Sequence, residues 1–203
     1  MKLQKETIAH GKWYDDACGT ALAMELVGER WALLVVRELM FGGRRFSDLR
    51  AALPGISAKV LTERLEGLER AGIVARRQLP PPGAVQVYEL TPWGYQADEA
   101  IMALGRWAAA SPHHDPTLPL SAASLMLSFR TMFDPGRAGA AALPVEITVG
   151  AEPFTVQIGG GRLTITRGQS PQAALRLRAP VAAVIAGLVY GKVPAAELAG
   201  AGL

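Results

Sequence analysis

The sharpest constraint on this chain is the break at Leu53-Pro54-Gly55-Ile56, where two short helical patterns meet. Proline has no N–H to continue a helix, and glycine accepts backbone angles that other residues avoid. The chain must therefore turn abruptly between two helices only a few residues apart. The first pattern, "FSDLRAAL", has Ser47 as its candidate N-cap. The second, "AKVLTERLEGLERA", is capped by Ser57 and stops at Gly72, placed as a C′ glycine. Within it Leu61, Leu65 and Leu68 follow i, i+4, i+7 and form a stripe for burial. At about 100° per residue, Lys59, Thr62, Glu63, Glu66 and Arg70 fall on the opposite side. This polar face has no evident core to cover.

The flanking patterns give it context. Residues 16–27 place Leu22, Ala23 and Leu26 on one stripe, with Gly28 as a stop. "RWALLVVRELMF" is apolar on most sides, as expected of a helix in a domain centre. Downstream, "IVARRQL" and "AVQVYEL" form a hairpin signal joined by Pro80-Pro81-Pro82-Gly83. A last helix opens with Thr91 as N-cap and Pro92 at the first helical position, and carries Trp93, Ile101, Leu104 and Trp107.

Helix, helix, short helix, sharp turn, capped helix and hairpin is the order of a winged helix-turn-helix. A DNA major groove about 12 Å wide admits one helix, whose N-terminal residues reach base edges. The polar face then acquires roles. Ser57 heads the helix, Lys59 reaches a phosphate or a guanine edge, Thr62 bonds either edge or touches a thymine methyl, and Glu63 accepts from cytosine. Arg44 and Arg45 are candidate phosphate contacts, and Arg76, Arg77 and Gln86 belong to the wing. Residues 43–90 hold eight Lys/Arg and five acids, a balance of +3, whereas residues 1–42 hold five and six. On spacing alone, a small helical domain with a merely solvated face stays equally open.

Other features narrow the classes. Net charge over 203 residues is only +3, which excludes a globally basic nucleic-acid coat. Cys18 is the single cysteine, so no internal disulfide forms. The N-terminus lacks the apolar run of a signal peptide, and no stretch approaches roughly 18 uninterrupted apolar residues. A cytoplasmic protein without a membrane partner is the expectation. No catalytic set emerges, and neither an enzyme, a metal nor a cofactor is expected. His113-His114-Asp115 is linker, since adjacent residues rarely converge on one ion. Gly159-Gly160-Gly161 is a turn, not a phosphate loop, because no Lys-Ser/Thr follows.

"SPHHDPTLP", residues 111–119, divides the chain into a winged-helix and dimerisation region (1–110) and a second region (120–203). The second opens with a helix carrying Leu125, Phe129, Met132 and Phe133 at three-to-four spacing. Four strand patterns follow, "PVEITVG", "FTVQIGG", "RLTITRG" and "AALRLRA", then short helices in "PVAAVIAGLVYG" and "PAAELAG". The fold class is α+β, with a small antiparallel sheet carrying helices on one side. An apolar pocket between such layers would be lined by Leu125, Phe129, Phe133, Phe154, Val156 and Ile185.

Two family resemblances add to this reading. The stretch from Cys18 to Trp107 resembles the HxlR-type winged helix-turn-helix regulators, relatives of the MarR group. It does so through the Trp31 helix, Arg45-Phe46-Ser47-Asp48-Leu49, Pro54-Gly55-Ile56-Ser57, Leu61-Thr62, Arg64-Leu65, Ala71-Gly72 and Tyr88-Leu90-Thr91 with Gly94. The resemblance implies a homodimeric transcription factor on a roughly palindromic operator of double-stranded DNA. Helices around 5–26 and 92–110 would build the dimer, with recognition helices about 34 Å apart. Glu63 stands where the family commonly carries Gln, and Ala58 where it often has Pro. Cys18 lies where some members carry an oxidant-sensing thiol; a half-buried packing residue is the alternative. The second region resembles the sterol carrier protein type 2-like domain, most clearly in "APVAAVIAGLVYGKVPAAELA", but stops where relatives usually add another strand. This implies a small apolar effector.

The combined expectation is a dimeric repressor controlled by that effector. A regulator switched at Cys18 with a structural second domain is one alternative. A lipid carrier or interaction module with a vestigial DNA-binding domain is another.

Overall fold

The computed structural model describes residues 14–80 and 85–203. The first part of the expected helix around 5–26 and the hairpin tip at 81–83 lie outside them.

Among the described residues, six helices and a hairpin build the first region: α1 (Gly19–Val27), α2 (Ala32–Leu39), α3 (Phe46–Ala52), α4 (Ala58–Arg70), β1 (Val74–Gln78), β2 (Gln86–Leu90), α5 (Pro92–Tyr95) and α6 (Asp98–Ala109). As its apolar sequence requires, α2 lies at the centre, with Val35, Val36 and Leu39 wholly buried. The Leu61, Leu65 and Leu68 stripe of α4 packs into the same core. The Ser57 hydroxyl accepts the Val60 N–H at 3.2 Å, satisfying one orphan donor at the start of α4. At its other end Gly72 takes φ +72°, and the Ile73 N–H reaches the Leu68 carbonyl at 2.9 Å. That six-to-one bond closes the helix and aims the chain into β1. The hairpin is antiparallel, in register from Val74 opposite Leu90 to Gln78 opposite Gln86. Arg44 adds a bridge to Tyr88, tying the segment before α3 to the wing.

Two local expectations are corrected. Ser47 does not cap α3; Arg45 occupies the N-cap, and the Asp48 carboxylate accepts its backbone N–H at 3.4 Å. The N3 carboxylate reaches back to the N-cap N–H, the half of a capping box that needs no hydroxyl at the N-cap. The helix expected over 92–110 is two, α5 and α6. At Gln96 and Ala97 the N–H groups bond three residues back, to Trp93 and Gly94, which tightens the turn between them. Gly94 is required at this point, since a Cβ there would lie 2.2 Å from the Ile73 carbonyl oxygen.

The second region begins with α7 (Ala122–Met132) and α8 (Pro135–Ala138). Strands β3 (Leu143–Val149), β4 (Glu152–Gly159), β5 (Arg162–Arg167) and β6 (Leu175–Ala179) follow, then α9 (Ala182–Val189), α10 (Ala195–Leu198) and a 3₁₀ turn over Ala199–Ala201. The strand order is β5-β4-β3-β6. The sheet is mixed rather than antiparallel: β6 runs parallel to β3, Val145 beside Leu175 and Val149 beside Ala179. After β5 the chain crosses to the far edge, where the Ala174 N–H meets the Pro144 carbonyl at the start of β3. It therefore enters β6 in the direction of β3.

The expected stripe on α7 is also corrected at its end. Met132 is 58% exposed, and the buried residues are Ala122, Ala123, Leu125, Met126 and Leu127. α7 packs against α2, α6, β5 and α9, so it buries a broad face. The two regions thus share one core. Phe41 meets Phe154 edge to face at 5.8 Å, Arg130 pairs with Asp98, and Arg106 donates to the Thr131 carbonyl at 3.3 Å. Residues 112–119 run exposed outside this joint.

Candidate nucleic-acid interface

The turn at residues 53–57 sets α4 so that its leucine stripe faces α2 and its opposite side faces solvent. Ser57, Lys59, Thr62 and Glu63 are all exposed there, at the N-terminal half of the helix. This is the end that reaches base edges when such a helix enters a groove. Lys59 and Glu63 form an i, i+4 pair at 4.0 Å, long and solvated enough to open at little expense.

The wing follows directly. Arg76 pairs with Glu69 of α4 at 3.0 Å and lies over the Tyr88 ring at 5.6 Å, so the wing is braced against α4. Arg77 pairs with Glu89 across the hairpin at 3.0 Å, and Gln86 is exposed at its outer end. Both arginines are about half exposed, so a phosphate can replace or share either acidic partner. Tyr95, beside this pair, is raised above its ordinary value by burial and then by the Glu89 charge, with Arg77 opposing.

Arg44 does not belong to this surface. It is 8% exposed, with Nη1 3.4 Å from Glu38 and Nη2 3.0 Å from Glu152. Its guanidinium is committed to two carboxylates and largely closed to solvent, which corrects the expected phosphate contact. Its neighbour Arg45 is exposed and stays available. Arg50 joins it as a residue that sequence reasoning counted only as charge: it is exposed on α3, and among the described residues it forms no ion pair. Its one signal in the sequence is a basic residue in the last turn of the first helix of the helix-turn-helix.

The expected pocket residues do not enclose a pocket. Leu125, Phe154 and Ile185 are wholly buried and Val156 nearly so, all packed together. Phe129 is filled against Tyr190 at 5.8 Å, and Phe133 is half-buried past the end of α7. Leu125, Phe154, Val156 and Ile185 thus belong to the packed core between sheet and helices. A cleft of about 880 Å³ does exist, at the seam between α2–α3 and the second region, and none of the six lines it.

Cys18 is exposed at the N-cap of α1. The backbone N–H groups of Thr20 and Ala21, and the Thr20 hydroxyl, hold its thiol below the ordinary thiol value. Hydrogen bonds to the charged form favour it, so the helix terminus supplies what nearby cations do not.

Residues 26–115 match the HxlR-like helix-turn-helix family. The uncharacterized HTH-type transcriptional regulator YvaP of Bacillus subtilis (strain 168) is 37% identical over 86 residues, covering 42% of this chain and 80% of that protein. The uncharacterized HTH-type transcriptional regulator YtfH of Escherichia coli (strain K12) is 33% identical over 102 residues, covering 50% and 81%. Among solved structures, the reduced form of the transcriptional regulator YodB from B. subtilis aligns at 33% identity with a TM-score of 0.44, over 49% of this chain and 100% of that one. The chain belongs to the HxlR-like helix-turn-helix family. Among the described residues, no helix is long and apolar enough to cross a membrane.

Proposed function

We propose that the protein is a homodimeric, sequence-specific DNA-binding transcriptional regulator that acts as a repressor. The observation that carries this reading is the exposed polar head of α4 beside a wing bearing Arg76 and Arg77. In this reading Ser57, Lys59, Thr62 and Glu63 face the major groove, while Arg45, Arg50 and the wing arginines hold phosphates. Removing Lys59 and Arg77 together (Lys59→Ala with Arg77→Ala) weakens operator binding and flattens its salt dependence by roughly one unit per lost phosphate contact. A double variant with unchanged affinity and slope sinks the assignment. Complete absence of DNA binding by the wild-type chain would favour the lipid-carrier or interaction-module reading instead.

Support for a dimer comes from the outer faces of two terminal helices. Neither α1 nor α6 has a buried residue, and Leu22, Met24, Leu104 and Trp107 are exposed, Trp107 at 77%. Exposed apolar side chains repeated on two terminal helices mark a protein–protein surface. A C₂ pairing through them places two α4 helices on one face of a palindromic site, about 34 Å apart. Repression follows where that site overlaps promoter DNA; deletion of the gene then raises transcription from the operator in a reporter.

The order of helix, meander, crossing strand and terminal helices in the second region supports a sterol-carrier-like domain that takes a small effector. A second reading, a thiol switch, is favoured by one observation: Cys18 is exposed, with its thiol lowered by the start of α1. If oxidants still release the Cys18→Ser variant from DNA, the thiol is not the switch.

A further inference from the structure

At the seam between the two regions three guanidiniums meet two carboxylates. Arg37 and Arg44 both contact Glu38, which is wholly buried and also accepts the Ser121 hydroxyl at 2.6 Å. Arg44 and Arg167 both contact Glu152. The cluster therefore carries one positive charge more than it neutralises. The surplus falls on Arg167, whose Nε and Nη2 are shut off from solvent and make no hydrogen bond among the described residues. Its guanidinium lies 4.7 Å from the Phe154 ring centre. Burial, then the nearby Arg44 charge, pull it below its ordinary value, yet an arginine keeps its proton in a protein. A buried, under-partnered cation is costly unless an anion completes it.

Arg37, Arg44 and Arg167 all border the 880 Å³ cleft, a size typical of small-molecule sites. The rest of its wall is largely apolar: Leu34 from α2, Leu53 from the turn, Leu120, Val149 and Val181 from the second region. Asp48 also borders it, but its carboxylate is engaged by the Arg45 N–H and the Ser47 hydroxyl, at 3.4 and 3.2 Å. Trp31, at the same wall, holds a φ of +80°, a strained conformation for a tryptophan.

We propose that this cleft, rather than the packed interior of the second region, is the effector site, and that its ligand is an amphipathic molecule with one carboxylate and an apolar body. The carboxylate supplies the missing anion beside Arg167 and Arg44, and the apolar body lies along Leu34, Leu120 and Val181. Because Leu53 and Pro54 form part of the wall, an occupant bears directly on the turn that sets α4. Only the effector role rests on the DNA-binding reading; ligand binding itself does not.

The test uses the full chain, with decanoate, 4-phenylbutyrate and decanol as calorimetric titrants without DNA. The expected result is saturable binding of at least one of the two acids, one per chain, with decanol at least tenfold weaker than decanoate. Arg167→Gln removes the cation. Val181→Trp fills the cleft from an exposed position, so it leaves the core intact should the first variant fold poorly. Each weakens acid binding at least tenfold. Failure of both acids to bind below about 1 mM overturns the site. So does equal binding of decanol, or undiminished binding in both variants. Operator affinity is then measured by fluorescence anisotropy with and without the bound acid. A shift of threefold or more in wild type, absent in Val181→Trp, supports the effector role. An unchanged affinity overturns that role, and wild type that never binds DNA overturns the DNA-binding reading while the calorimetry still decides the site.

Discussion

Arg44 and Arg45 are adjacent and chemically identical, yet they do opposite things. Arg45 points to solvent, while Arg44 bridges Glu38 of α2 to Glu152 of β4 and carries the backbone pairing with Tyr88 of the wing. One residue thus joins the central helix, the wing and the second region. Truncating it (Arg44→Ala) strips Glu38 of one cation at a wholly buried site and is expected to destabilise the chain by about 3 kcal/mol. Urea denaturation reads that loss. The salt slope of operator binding stays at the wild-type value, and a lowered slope would return Arg44 to the phosphate contacts. A second prediction concerns Cys18. With its thiol held down by the Thr20 and Ala21 N–H groups, the rate of alkylation by iodoacetamide rises with pH through an inflection below that of free cysteine. An inflection at or above the free value would remove the support for a thiol switch. Sequence could list these side chains but not sort them, because burial depends on what folds over them. The acid that claims Arg44 from the second region lies 108 residues away.

Elements were the most legible scale. The Ser57 cap, the α4 leucine stripe, the Gly72 stop, the hairpin and all four strands of the second region follow from short-range rules of capping and periodicity, and each stands where the pattern puts it. The departures come where a distant neighbour overrides the local signal. Periodicity reveals a strand but not its partner, so the parallel placement of β6 beside β3 was hidden. Asp48 displaced Ser47 as the group serving the start of α3, and the close approach of Ile73 shaped the start of α5. Two substitutions probe this scale. Ser57→Ala removes a satisfied cap at the head of α4 and lowers stability by about 1 kcal/mol by thermal or urea unfolding. Gly94→Ala places a methyl against the Ile73 carbonyl and lowers stability by more, since the obstacle is backbone and cannot rotate away.

For the whole molecule, the proline-rich stretch at 111–119 suggested two separable domains, but α7 inserts its broad apolar face between α2, α6 and the sheet, and one core results. Composition could not reveal this, because a helix that is buried on several sides reads the same whether its neighbours are near or far in sequence. The consequence is mechanical: the second region is joined to α2 through the packed side chains of α7 rather than through a tether alone. The same core is lined at its edge by Ile101 and Met102 of α6, whose opposite face leaves Leu104 and Trp107 facing solvent. If α1 and α6 pair two protomers, replacing both side chains (Leu104→Lys with Trp107→Glu) leaves each protomer folded, because neither contributes to the core, but separates the pair. Sedimentation velocity is then expected to report a monomer with an unchanged circular dichroism spectrum. Operator affinity falls by well over tenfold, since two linked recognition helices bind with an effective concentration that a single one lacks. The salt slope falls toward half, because each protomer supplies half of the phosphate contacts. A variant that remains dimeric would place the interface elsewhere. One that becomes monomeric yet binds the operator as tightly as before would show that a single α4 and its wing suffice.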